Sequence, residues 1–152
     1  MKVISSLGKI MIALGVIAFI VGAVFLGLGF SKQHYLVTTM KQENITLGNL
    51  GITGAKANEL VDSMSTAQIA GDTVRKHRHE IAPNYEAALG GNRFDPTNPQ
   101  DLVYAQAINL ENYLYLAVSS FGLVYVVLGS GAFMILSGIG MGLTGVSLVK
   151  LS

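Results

Sequence analysis

The 152-residue chain is 51% hydrophobic and only 12% charged, with a formal net charge of +1 and no cysteine. Soluble domains carry about 25% charged residues, so much of this surface faces something other than water. Without thiols there is no disulfide framework, thiolate metal site or cysteine nucleophile, and the near-neutral balance gives no pull toward nucleic acid.

Charge placement divides the chain. All nine acidic residues, from Glu43 to Glu111, lie within residues 31–112, together with seven of the ten basic ones. The flanks hold Lys2, Lys9 and Lys150 and no acid. Residues 1–9 read as a basic N-terminal stretch. Residues 10–30 carry no charge; that length of helix covers about 31 Å, which matches a bilayer core of about 30 Å and predicts a first transmembrane helix. A cleaved signal peptide fits less well, because the apolar run is too long for an h-region and GLGFSKQ is a poor cleavage site. Gly8, Gly15, Gly22 and Gly29 recur every seven residues along this stretch. Helices in lipid are held by close backbone approach, which small residues permit, and a seven-residue period keeps one seam aligned in a left-handed crossing.

Residues 31–112 read as one polar domain. Its first part, 35–54, combines β-branched residues with glycine punctuation and predicts β or irregular structure. From 55 to 82, Leu60, Met64, Ala67, Ala70, Val74, His77 and Ile81 step by threes and fours, which predicts a helix with one buried face. Asp72 and Lys76 make an acid-first i,i+4 pair, Gly71 weakens the middle, and Pro83 ends the helix. NYEAALGG predicts a short helical turn closed by Gly90 and Gly91. After a turn-rich loop, Asn98 is an N-cap, Pro99 takes the first helical position, and Asp101 complements the helix dipole.

No breaker follows before Gly122, so this helix is expected to continue into a second span and couple the two regions mechanically. The charge-free residues 113–149 exceed one bilayer crossing, so one end is expected to pack on protein, with Tyr113, Tyr115 and Tyr125 at an outer interface. The glycine device returns here as Gly122 and Gly129, then Gly131, Gly138 and Gly145, with Gly142 completing a G-x-x-x-G after Gly138. Residues 150–152 close the chain behind Lys150. The positive-inside rule then puts both termini in the cytoplasm of a plasma-membrane protein, with residues 31–112 outside.

The stretch from Val74 to Gly131 resembles a group of small two-span bacterial membrane proteins of unknown function, common in actinobacteria and related lineages. The positions that carry the likeness are Lys76-His77, Tyr85, Asp95-Pro96 and Phe121-Gly122, with ENITLG ahead of them, so that it covers roughly residues 42–145. The group has arginine where this chain has Glu111, and that position is not carried over. Some members bear the label aromatic ring-opening dioxygenase. The residues here do not support that label, since non-haem iron requires two histidines and a carboxylate on one preorganised face.

The one cluster with metal-ligand chemistry is KHRHE, where His77 and Glu80 are helical neighbours at i,i+3 and His34 is a distant third. Two ligands are too few for a tight site, and the plainer reading is a packed His77 hydrogen-bonded to a carboxylate beside solvated Arg75, Lys76, Arg78 and His79. RKHRH also has the charge to meet phosphates, with a solvated helix face as its plainer reading. Neither apolar segment holds an ionisable residue, which argues against ion transport, and no acid, base and nucleophile set is visible. The expected molecule is a mainly α membrane protein with two transmembrane helices, a helical extracytoplasmic domain and no enzymatic activity or cofactor. Its expected role is a structural or accessory subunit in the lipid bilayer. It would self-associate or dock to other membrane subunits through its glycine-lined helices and outer domain. The alternative is an extracytoplasmic binding or sensing module for a lipid, metal or small ligand.

Overall fold

The computed structural model describes residues 2–52, 54–56 and 58–152. It is mainly helical, with α1 (Lys2–Glu43), α2 (Met64–Ile81), α3 (Tyr85–Leu89) and α4 (Pro99–Lys150) in order. Among the described residues the one extended pairing is an antiparallel bridge between Thr46 and Leu60. α1 and α4 are each long and apolar enough to cross a membrane. The chain divides into two compact units, Met1–His34 with Leu123–Ser152, and Tyr35–Gly122.

The first unit is an antiparallel pair formed by parts of α1 and α4. Its buried positions, among the described residues, are Gly8, Gly15, Gly22, Gly29, Val124, Gly131, Gly138 and Gly145. A Cβ built on Gly8, Gly15 or Gly22 would lie 2.7 Å from the carbonyl oxygen of Gly145, Gly138 or Gly131 respectively. The relation is reciprocal, with 2.6 to 2.9 Å from the α4 glycines back to the α1 carbonyls. Each step of seven along α1 is thus matched by a step of seven back along α4. The Cα–H that replaces each Cβ points at the opposing oxygen, the arrangement of weak Cα–H···O bonds between close helices. Both ladders are therefore engaged with each other inside one chain.

Not every glycine of the second ladder joins this seam. A Cβ on Gly122 or Gly129 would meet nothing within 4 Å. Gly129 precedes Gly131 by two residues, or about 200° around the helix, so the Gly122–Gly129 pair points away from α1. These two expected helix-packing positions are therefore not part of the seam with α1. Gly142 also has open space at its Cβ, but its backbone nitrogen lies 2.9 Å from a Cβ built on Gly15, so it forms part of the floor of the seam.

The second unit gathers a core from Met40, Leu47, Val61, Ala67, Ala70, Val74, Leu114, Ala117 and Phe121. Two sequence expectations change here. The β or irregular segment predicted over 35–54 is helical as far as Glu43, because Leu36, Val37 and Met40 present one helical face to this core and burial overrides β-branched propensity. Asn44 then turns the chain with a left-handed φ of 52°. The helix predicted over 55–82 begins only at Met64. Leu47 N–H donates to Glu59 O and Val61 N–H to Ile45 O, both at 2.9 Å, which ties the preceding residues to the end of α1 instead. Ser63 caps α2 in a reciprocal capping box with Thr66.

The later elements form where the sequence puts them. α3 is capped by the Asn84 side chain and closed by Gly90 at φ 57°. The Asn98 side chain accepts from Gln100 N–H at the start of α4, and α4 runs without interruption to Lys150. Leu114, Ala117 and Phe121 are buried in the second unit, so the start of the charge-free run packs on protein. Ala67, Ala70 and Gly71 make a small-residue face on α2. A Cβ on Gly71 would stand 3.3 Å from the Tyr115 ring. The glycine that lowers helix propensity thus permits close approach of α2 to α4.

Candidate functional site

The α2 residues Arg75 and Arg78 are one turn apart and face the same carboxylate of α4. Arg75 Nε donates to Glu111 Oε1 at 3.0 Å, and Arg78 Nε donates to Oε2 at 2.7 Å. Arg78 Nη1 also donates to the Tyr104 hydroxyl at 2.6 Å. Each guanidinium stacks on a tyrosine of α4, Arg75 over Tyr115 at 4.6 Å and Arg78 over Tyr104 at 5.3 Å. Tyr115 in turn donates its hydroxyl proton to Asp72 at 2.6 Å. Two arginine–tyrosine stacks therefore share one buried acid.

Burial ranks these contacts. The Glu111 side chain is 9% exposed and that of Arg78 is 12% exposed, whereas Arg75 is half exposed. Burial pushes the Glu111 carboxyl up, but the Arg78 and Arg75 guanidiniums outweigh it and hold the group below the ordinary carboxylate value. Hydrogen bonds from Tyr115 and Gln68 lower Asp72, and the bond to Glu111 raises both arginines. Every buried polar side-chain atom among the described residues has a partner. The cluster is electrostatically closed, and its chemistry is that of a latch between two helices.

Beside the latch lies an open cleft of about 560 Å³, lined by Leu50, Val74, Ile81, Val103 and Leu110, with Asn49, His77, Gln106 and the latch residue Arg78 as its polar lining. His77 and Glu80 are both exposed. Among the described residues no three candidate ligands come together, and His34 belongs to the other unit. The expected packing of His77 is corrected: Ala67, Ala70 and Val74 of the predicted stripe are buried, but toward the end of α2 it is Arg78 rather than His77 that turns its side chain to Glu111 and Tyr104 of α4. Arg78 thereby leaves the solvated basic run, Arg75 pairs with Glu111 while staying half exposed, and Lys76, His77 and His79 are exposed. Asp72 pairs with Gln68 and Tyr115 instead of the expected Lys76.

Glu111 is the residue that sequence reasoning passed over. The signal was present in its phase, since Tyr104, Glu111, Leu114 and Phe121 fall on one helical face and three of the four are apolar. An acid on such a face requires a cation from another element. No family model, curated protein or solved structure matches the chain.

Proposed function

We propose that this chain is an integral, non-catalytic subunit of a cell membrane, anchored by parts of α1 and α4 and meeting its partner through the Tyr35–Gly122 unit. The carrying observation is the inverted character of the first unit. Its seam is glycine, while Ile10, Ile17, Leu123, Val126, Phe133, Leu136 and Leu143 are all more than half exposed. A soluble core helix would hide such residues, and exposed apolar surface on this scale calls for lipid or protein cover. The lysines at positions 2, 9 and 150 favour cytoplasmic ends and an outer Tyr35–Gly122 unit. Because Gly8, Gly15, Gly22, Gly131, Gly138 and Gly145 already face each other, these six glycines are not the docking surface. Self-association or binding of another subunit then falls to the outer unit, with Gly122 and Gly129 among the glycine positions left open.

Two measurements test this reading. In this cysteine-free chain, Ser6→Cys, Asn92→Cys and Leu151→Cys each place one thiol at an exposed position. With a membrane-impermeant maleimide on intact cells, only the Asn92 variant should label before lysis; labelling of all three would remove the topology. Native mass spectrometry from nanodiscs should show a defined oligomer or a stoichiometric partner. A bare monomer with no co-purifying subunit would remove the accessory role. The cleft along α2 supports a second reading, a binding module for a small amphipathic ligand, since its lining combines apolar side chains with Asn49, His77, Arg78 and Gln106.

A further inference from the structure

The glycine seam of the first unit opens at one end. At Gly8, Gly15 and Gly22 a Cβ would strike opposing backbone within 2.7 Å, but at Gly29 the nearest opposing backbone atom is 3.6 Å away and the Leu128 side chain intervenes. Beside this opening is a groove of about 360 Å³, walled by Phe25, Leu28 and Gly29 of α1 and by Leu123 and Val127 of α4, with Lys32 as its one charged neighbour. Phe25, Leu28, Gly29 and Lys32 follow the i, i+3, i+4, i+7 pattern of a single helix face. Phe25 and Lys32 are therefore separated by roughly 10 Å along the axis.

We propose that this groove binds one acyl chain of an anionic phospholipid, whose phosphate is met by Lys32. The proposal rests on the membrane reading above. Apart from Lys32, the lining side chains offer no hydrogen-bonding group. A peptide laid in the groove would leave its own backbone donors and acceptors without partners; a hydrocarbon chain has none to satisfy. The volume lies within the range of small-molecule sites. Lys32 lies just past the charge-free stretch that ends at Phe30, the depth at which headgroups begin. Its ammonium is a compact cation with three donors, so a contact within the chain leaves capacity for a phosphate oxygen. The groove supplies the site for the chain, and the lysine supplies the preference for negative charge.

The test uses the full chain in nanodiscs of mixed phosphatidylglycerol and phosphatidylcholine, with bound lipid counted by native mass spectrometry after release. The wild-type protein should retain one phosphatidylglycerol in preference to phosphatidylcholine. Lys32→Gln should reduce that preference about tenfold, the effect of roughly 1.4 kcal/mol, and Lys32→Arg should preserve it. Leu123→Trp, at a position 69% exposed, should fill the groove and lower retention of both lipids. Unchanged lipid selectivity in Lys32→Gln, or unchanged retention in Leu123→Trp, overturns the site. Carbonate extraction separates the two failures. A chain that stays in the membrane but shows no selectivity loses only this site, whereas a chain released by carbonate loses the membrane reading and the site with it.

Discussion

Gly15 and Gly138 meet at backbone contact: a Cβ on Gly15 would lie 2.7 Å from Gly138 O, and one on Gly138 would lie 2.6 Å from Gly15 O. Alanine at either position gains about 1 kcal/mol of helix propensity but must push two backbones apart. Overpacking of this kind costs about 1–3 kcal/mol, and the obstacle here is a carbonyl rather than a side chain that can swing away. The clash should win. Gly15→Ala and Gly138→Ala are expected to lower the midpoint of thermal unfolding in detergent, and Gly15→Leu to lower it further. An unchanged midpoint for the leucine variant would sink the seam.

The opposite sign is expected where the Cβ meets open space. Gly27 and Gly140 have no neighbour within 4 Å of a built Cβ. Only the propensity gain remains there, about 1 kcal/mol or less. Gly27→Ala and Gly140→Ala should therefore raise the same midpoint slightly or leave it unchanged. A fall at either position equal to that of Gly15→Ala would mean that generic glycine tolerance, and not the seam, governs these helices.

The contrast between these glycines marks what was legible in the sequence. The seven-residue spacing was visible in the letters, because period is a property of one helix. Which of two interleaved ladders on α4 faces α1 was not visible, because Gly129 and Gly131 differ by two residues and only the partner helix selects a face. The long α4 was legible from Asn98-Pro99 and the lack of any later breaker. The start of α2 was missed although Ser63-x-x-Thr66 is a capping signal; the apolar stripe extended falsely to Leu60, which bridges Thr46 instead. The burial of Arg78 in place of His77 is equally a tertiary choice. Charge at Glu111 outweighs the hydropathy of the stripe, and a pattern scored on apolar letters alone cannot register that.

The latch predicts a ranked series. Glu111→Gln keeps the shape but removes the charge that both arginines share. A hydrogen bond to a charged group contributes about 1.5–3 kcal/mol, and the loss leaves the mostly buried Arg78 without its counter-ion. Arg78→Lys loses the Tyr104 contact and the planar stack as well, since an ammonium cannot reproduce the fork. Arg75→Lys should cost least, because half of that side chain is in solvent and exposed pairs are worth about 0–1 kcal/mol. Thermal unfolding followed by proteolysis near residues 90–98 should rank Glu111→Gln and Arg78→Lys well below Arg75→Lys. Equal effects for the two arginines would contradict the burial difference.

Acid should release the same latch, and the sign follows from the direction of the shift. The Glu111 carboxyl in the folded chain titrates below its ordinary value of 4.5, so between the two values the unfolded chain holds more protons than the folded one. Stability then rises with pH across that window. The contribution is fully present above about pH 4.5, the unfolded value, and is lost as pH falls through the folded pKa. Asp72 is also lowered and acts in the same direction, but solvent screens it more strongly. The unfolding midpoint of the wild-type protein is therefore expected to hold from neutral pH down to about 4.5 and then to decline. In Glu111→Gln the midpoint should start lower and decline less over the same range, because the group whose protonation drives the change is gone. An identical acid decline in both proteins would assign the loss to other carboxylates and leave the Arg75–Glu111–Arg78 contact without a role in acid stability.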